Sequence, residues 1–430
     1  MGSLKLHKLQ DEGPMDFDQW LLRYPLRVRT VIKRDFESCR GMARAEDLRV
    51  KAFTKIELGS YTDPRNISGR TMAYQASLGP YIAAVEQHLS KLPWLVKHLD
   101  LQQRNEKLTK LYAKHSPQFF IEGDFSRFDA TISEILIKNE HRVYHACFPN
   151  MDPLAAEFLA AQWRTKAYHG AGVRYTTVGR RCSGDPNTSI GNAIINRFCH
   201  WLAWRHLSGW VSIHEGDDGF AMIQGDPSLF SLALERSARS LGLEVKCLVH
   251  SDIAAVGFCG RRLYIEDDNT IKCYCDFNRT FPKLGGSVCP DLVSDLRPAI
   301  RAELCLSKAL SYYHTDRDTP IIGALCGSLA RLLLKRQTKW RADRDLNTRM
   351  IRYKQGRTSV LSSLRRPSSP SMACRLAFMD HTGIPPQHQI YFEQWYLGNI
   401  IVEIPSQFPL VPLHHVDDEF PVDTNKYYMV

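Results

Sequence analysis

Two aspartates side by side carry the strongest chemical signal in this chain: Asp217 and Asp218, in the run Val211-Ser212-Ile213-His214-Glu215-Gly216-Asp217-Asp218-Gly219-Phe220-Ala221-Met222-Ile223. Adjacent carboxylates repel, and one tends to keep its proton unless a cation sits between them. Oxygen ligands point to a hard divalent cation, Mg²⁺ or Mn²⁺. The flanking apolar residues and bracketing glycines predict two short strands joined by a tight turn, with the carboxylates at the tip. Asp-Gly is also an ordinary turn signal, so this run alone is more readily read as a plain surface hairpin.

Two upstream constellations change that balance. In Phe119-Phe120-Ile121-Glu122-Gly123-Asp124-Phe125-Ser126-Arg127-Phe128-Asp129 an apolar strand delivers Asp124 to its end, and Asp129 follows close enough to face the same cavity. By themselves these aspartates also fit a helix cap and a solvated surface group. The second constellation, Gly179-Arg180-Arg181-Cys182-Ser183-Gly184-Asp185-Pro186-Asn187-Thr188-Ser189-Ile190-Gly191-Asn192, is a small-residue loop entering a helix whose apolar positions include Ile190, Ile194, Ile195, Phe198 and Leu202. Gly184 permits close backbone approach to a ligand. Ser183, Thr188 and Asn192 offer neutral donors and acceptors suited to a sugar hydroxyl or a base edge, and Thr188 and Asn192 share a helix face. Ordinary capping polars are the simpler alternative for this segment alone.

The order Asp-x4-Asp, Ser-Gly-x3-Thr-x3-Asn, Gly-Asp-Asp resembles motifs A, B and C of the RNA-dependent RNA polymerases of positive-strand RNA viruses. Lys51-Ala52-Phe53-Thr54-Lys55-Ile56-Glu57, followed by Thr62-Asp63-Pro64-Arg65-Asn66-Ile67 and Arg70, is similar to their basic motif F. Its Asp-Pro-Arg run resembles the noda-like and tombus-like groups. Leu241-Gly242-Leu243-Glu244-Val245-Lys246 resembles motif D, although Lys246 reads equally as a surface residue at a strand edge, and Val256-Gly257-Phe258-Cys259-Gly260 resembles motif E, although Phe258 reads more simply as core.

The resemblance implies an α+β right-hand polymerase with fingers, a palm of antiparallel sheet plus helices, and a helical thumb. Residues 1–115 and 133–178 are then fingers, 116–132 and 179–284 palm, and 285–430 thumb and C-terminal tail. It implies RNA-templated RNA synthesis on an RNA template and nascent strand, with nucleoside triphosphates as substrates. Two ions, Mg²⁺ or Mn²⁺, are expected on Asp124 and Asp217, with Asp218 supporting. Lys246 is the expected proton donor to the leaving pyrophosphate. Lys55, Arg65 and Arg70 are expected over the triphosphate, where mobile cations neutralise charge. Asp129, Ser183, Gly184, Thr188 and Asn192 are expected around the nucleotide, with Asp129, Ser183, Thr188 and Asn192 reading its ribose 2′-hydroxyl. Such polymerases work in the host cytoplasm at membrane-associated replication complexes, so an anchor is expected on another segment or partner.

Those groups need rigid elements to hold them. Residues 1–115 read as mixed helix and loop, with a helical pattern over 72–99 interrupted at Pro80 and Pro93. A helical stretch is expected from Ser133 to about Tyr168. The run Phe281-Pro282-Lys283-Leu284-Gly285-Gly286 reads as a loop between palm and thumb, and 290–360 as helical. Arg331, Lys335, Arg336, Lys339, Arg341, Arg344, Arg349, Arg352, Lys354, Arg357, Arg365 and Arg366, interleaved with Trp340 and Tyr353, suit an RNA backbone or a solvated face. Pro367-Ser368-Ser369-Pro370-Ser371 reads as a flexible joint, and the proline-rich stretch from Pro405 as irregular.

The composition agrees. The chain has 430 residues, 44% hydrophobic, enough for several packed subdomains. A net charge of +10 favours a polyanionic partner. The twelve cysteines show no disulfide-framework spacing, which fits a reducing compartment. Cys273 and Cys275, with Cys247 or His250, can be drawn as a zinc site, but free thiols on a strand are simpler. No apolar run is long enough to span a bilayer, and Leu6 breaks the myristoylation pattern that Met1-Gly2 opens. A non-catalytic RNA-binding scaffold on a polymerase fold and a reverse transcriptase are the rival readings. The intact aspartates oppose the first, and the Ser-Gly-x3-Thr-x3-Asn run opposes the second.

Overall fold

The computed structural model describes residues 12–24, 26–55, 65–170, 172–284, 298–336 and 362–399. The chain divides into two compact units, residues 1–55 with 63–259, and residues 56–62 with 260–430. The expected palm segment 179–284 is therefore shared between them.

In the first unit the elements follow in the order α1 (Phe17–Leu21), α2 (Leu26–Ser38), β1 (Arg49–Thr54), β2 (Asn66–Gly69), α3 (Met72–Leu89), α4 (Leu101–His115), β3 (Phe119–Phe125), the single turn α5 (Phe128–Thr131), α6 (Glu134–Cys147) and α7 (Pro153–Ala160). Then come β4 (Arg164–His169), β5 (Arg174–Val178), α8 (Thr188–Trp204), β6 (Trp210–Glu215), β7 (Asp218–Ile223), α9 (Pro227–Ser240), β8 (Val245–His250) and β9 (Gly257–Phe258).

The functional scaffold is the antiparallel sheet β6-β7-β3-β8. Side chains alternate across a strand. Along β3, Ile121 and Phe125 therefore pack with Ala221, Ile223 and Val245 against Ile195, Cys199 and Trp204 of α8 and Leu234 of α9. Glu122 and Asp124 fall on the opposite face. α9 starts cleanly because Asp226 caps the Ser228 N–H and Pro227 occupies the first turn.

The expectation of helix and loop before residue 115 missed β1 and β2, and the helical reading to Tyr168 missed β4. These strands form a second sheet in the order β2-β1-β4-β5, in which β1 runs parallel to β4. The strands are short, β1 and β4 are rich in cations, and β1 finds its parallel partner far downstream, so no local pattern marks them. Pro80 does not interrupt α3, which continues through it. The helix is buried on two sides, by Trp20 and Ile32 around Ala76 and Ala83, and by Tyr144, Phe148 and Phe158 around Leu78 and Ile82. That packing outweighs a backbone penalty of about 3 kcal/mol.

The second unit contains the hairpin β10 (Arg261–Ile265) and β11 (Ile271–Cys275), then α10 (Phe277–Leu284), α11 (Pro298–Asp316), α12 (Ile322–Lys335), α13 (Met372–Thr382) and α14 (Pro386–Asn399). Phe281–Leu284 is thus helical rather than looped, and Gly285 and Gly286 lie outside the described residues. Buried ion pairs tie the unit together: Arg261 to Asp316 at 2.6 Å, and Arg375 to Glu393 at 2.7 Å. The Pro367–Ser371 segment is pinned rather than a free joint. Ser368 Oγ donates to the Arg317 carbonyl at 2.6 Å, and Ser371 caps α13. Arg331 stacks on Tyr313 and donates to the Leu364 carbonyl, so it serves packing. Arg365 and Arg366 are exposed. Lys339, Trp340, Arg341, Arg344, Arg349, Arg352, Tyr353, Lys354 and Arg357, and the tail from Pro405, lie outside the described residues. The cysteines of the described residues, Cys273 and Cys275 included, are free thiols. No helix among the described residues is long and apolar enough to cross a membrane.

Candidate active site

The expected hairpin is present. β6 and β7 pair from Trp210↔Ile223 to Glu215↔Asp218, and Gly216 makes the turn with φ of +70°. The register of β3 on β7, which includes Glu122↔Phe220, brings the Asp124 end of β3 to the end of the sheet that carries this turn. On the other side of β3, Asp124 pairs directly with Lys246. Cross-strand partners point to the same face with Cβ atoms about 5 Å apart. One end of one sheet thus bears Asp124, Asp217, Asp218 and Lys246.

The turn is held from behind by α8. Asn196 Nδ2 donates to the Asp217 carbonyl at 2.9 Å. Asp218 Oδ2 accepts the Cys259 N–H at 2.7 Å, and Glu215 pairs with Arg104 at 2.5 Å. Phe258 packs edge-on to Phe220, a core position. Sequence reasoning missed Asn196, yet a signal was present: Thr188, Asn192, Asn196 and His200 recur every fourth residue, a polar stripe on a mostly apolar helix.

Asp129 and Asn192 meet. Asn192 Nδ2 donates to Asp129 Oδ1 at 2.7 Å. Burial raises the Asp129 carboxyl above its ordinary range, against the Asn192 hydrogen bond and the Arg181 charge, and the nearby Asp217 charge adds to the rise. Ser183 and Thr188 do not join them. Ser183 Oγ accepts the Ser68 N–H at 3.0 Å, and Thr188 Oγ1 donates to the Cys182 carbonyl at 2.8 Å. Gly184 is required by the chain itself rather than by a ligand: a Cβ there would lie 2.1 Å from the Ser68 carbonyl oxygen of β2.

The three candidate cations separate. Lys55 and Arg65 are exposed just beyond the Thr54↔Asn66 pair, at the end where the chain connects β1 to β2, and the Lys55 N–H donates to the Arg65 carbonyl at 2.9 Å. Thr62, Asp63 and Pro64 lie outside the described residues. Arg70 does not stand over the site as expected. Its side chain is sealed, pairs with Asp185 at 2.7 Å, donates to Thr165 and the Leu48 carbonyl, and stacks on Tyr74. With its side chain fully buried, Arg70 presents no surface to a triphosphate.

Among the described residues, no three His, Cys, Asp or Glu side chains are gathered closely enough to cage an ion. The fit to a divalent cation therefore rests on donor chemistry and charge. The donors are carboxylate oxygens, the hard ligands such cations prefer. Burial, opposed by the Cys259 N–H and reinforced by Asp217, Glu122 and Glu215, pushes the Asp218 carboxyl up from 3.8 to about 6. Burial is the larger cause of that rise, and the neighbouring carboxylates add to it.

It also fixes a stability prediction. Folding raises this pKa, so the ionised carboxylate costs stability above pH about 6, and the cost fades as pH falls toward its unfolded value. Without divalent cations, Asp218→Asn should stabilise the fold by about 1–3 kcal/mol at pH 7.5. The gain should shrink as the pH is lowered from 6 to 4. Urea melts across this range check it, and a gain that does not vary with pH rejects the assignment.

A sheet that presents paired aspartates on a turn beside a strand-borne aspartate and lysine has the donor set for handling phosphate through divalent cations. The chain belongs to the family described as Viral RNA dependent RNA polymerase, whose sequence profile matches residues 14–399. It is 32% identical over 295 residues to the RNA-directed RNA polymerase of Pariacoto virus, covering 64% of this chain and 28% of that protein. It is 30% identical over 249 residues to that of Oat chlorotic stunt virus, covering 53% and 33%. Against that of Striped jack nervous necrosis virus it is 27% identical over 293 residues, covering 66% and 28%. The expected kinship with noda-like and tombus-like polymerases is borne out. The matched part is about a third or less of these relatives' own length.

Proposed function

We propose that this chain carries out RNA-templated RNA synthesis by nucleotidyl transfer. The 3′-hydroxyl of the growing strand attacks the α-phosphorus of a nucleoside triphosphate, and pyrophosphate leaves. The observation that carries the reading is the convergence of Asp124, Lys246 and the Asp217–Asp218 turn at one end of β6-β7-β3-β8, in a chain of this family.

Asp124 and Asp217 would hold a pair of Mg²⁺ or Mn²⁺ ions, with Asp218 supporting. When bound, such ions supply Lewis acidity that activates the hydroxyl and stabilises the leaving oxygens. The protein's own contribution is placement. Strand β3 fixes Asp124, and Asn196 fixes the turn that presents Asp217. Lys246, directly across from Asp124, is the group we assign to protonate pyrophosphate. Lys55 and Arg65 are assigned to the triphosphate, and Asp129 with Asn192 to the ribose 2′-hydroxyl. Base selection is left to pairing with the template.

On this reading residues 116–132 and 179–284 are palm, 1–115 and 133–178 fingers, and 285–430 thumb and tail. Work at cytoplasmic membranes would then depend on other replicase parts.

The decisive experiment is incorporation of labelled nucleotide on a simple RNA template, with and without Mg²⁺ or Mn²⁺, comparing ribo- and deoxyribonucleotides. Cation-dependent ribonucleotide incorporation is expected. Its absence, with RNA binding retained, favours the scaffold reading, and preference for deoxyribonucleotides favours reverse transcription. Arg65→Ala should raise the KM for all four nucleotides alike, about tenfold, because a charge-assisted phosphate contact carries no base information. A base-specific change in steady-state kinetics contradicts the triphosphate role.

A further inference from the structure

Behind Asp129 and Asn192 lies a buried polar cluster with a defined direction. Asn192 gives its Nδ2 to Asp129, while its Oδ1 accepts from Arg181 Nε at 3.0 Å. Arg181 Nη2 pairs with Glu140, and both side chains are fully buried. Glu140 Oε1 also accepts from Asn187 Nδ2 at 2.8 Å. The Arg181 main-chain N–H donates to the Asp129 carbonyl at 2.9 Å. α8 makes room for the pair through Gly191, where a Cβ would lie 2.1 Å from Glu140 Oε1 and 2.6 Å from Arg181 Nη2.

An asparagine amide fits its pocket in two orientations that differ only in which end donates. A guanidinium can only donate. Arg181 therefore accepts just one orientation, the one that turns the Asn192 NH₂ toward Asp129. An apolar pair would fill the Arg181–Glu140 space with little loss of stability. It would supply no donor aimed at Asn192.

We infer that Arg181, braced by Glu140, is a positioning residue for sugar discrimination. It locks the Asn192 amide, so that Asn192 holds one Asp129 carboxylate oxygen and leaves the other to accept a ribose 2′-hydroxyl. The inference rests on the proposed reading of the ribose by Asp129 and Asn192. Discrimination on a single hydroxyl is large only where the site's polar groups are held in one arrangement.

The test is the ratio of kcat/KM for a ribonucleotide to that for its 2′-deoxy analogue. Arg181→Gln should lower this ratio by about tenfold to a hundredfold. Gly191→Ala retains every site side chain but displaces the Arg181–Glu140 pair, and should lower it in the same direction. It decides the matter if Arg181→Gln does not fold. Arg181→Lys keeps the charge but not the fork and should restore the ratio only in part. Asn192→Ala and Asp129→Ala separate the two levels. If they lower the ratio while the folded Arg181 and Gly191 variants leave it unchanged, the positioning role is wrong and the ribose reading stands. If neither of them lowers it, the ribose reading itself fails.

Discussion

Replacing Asp217 by alanine is expected to abolish nucleotide incorporation while leaving RNA binding nearly intact. Its side chain is exposed at the β6–β7 turn, and the turn is held by its own main-chain carbonyl through Asn196. The substitution therefore removes a carboxylate without removing a structural contact. On the proposed reading, RNA affinity would draw on the chain's excess of lysine and arginine, which the change leaves untouched. If Asp217 holds a metal at the reacting phosphate as proposed, its loss should cost about a thousandfold or more in rate. Single-turnover incorporation measures the loss, and fluorescence anisotropy across a salt series measures binding. Divalent cation should raise the melting temperature of the parent but not of the variant. Full activity in Asp217→Ala rejects the metal assignment.

The second large effect lies where the sequence suggested triphosphate binding and the structure shows a buried ion pair. Arg70→Ala should destabilise the first unit by about 3–5 kcal/mol, because it leaves Asp185 buried and unpaired. It also strips donors from the Leu48 carbonyl and Thr165, and a cation from the face of Tyr74. Thermal melts should show a drop of about ten degrees or more. Below the melting transition, the nucleotide KM should change far less than in Arg65→Ala. A stable Arg70→Ala protein with a strongly raised KM would return Arg70 to the triphosphate site.

Arg65 and Arg70 show where sequence reading stops. Both are arginines in the same basic segment, and local pattern gives them the same role. β2 carries the chain from one to the other, and Arg70 ends beside Asp185, a residue brought close only by the fold. Gly184 teaches the same lesson. Its small size was legible as a need for close approach, but what approaches is the backbone of β2. Pro80 was legible as a helix breaker because that is its local effect, yet packing on both sides of α3 overrides it.

The sequence by itself determined the carboxylates, the strand that ends on Asp124, the hairpin that presents Asp217 and Asp218, and the helix that carries Asn192. Each of these depends on residues adjacent in the chain, where strand alternation, turn glycines and helical period act directly. Only the tertiary structure decided the sheet β2-β1-β4-β5, the pairing of Asp124 with Lys246, the burial of Arg70 and the Arg181–Glu140 brace behind Asn192. Those features join segments far apart in the chain, and their register and charge pairing come into being when the segments pack.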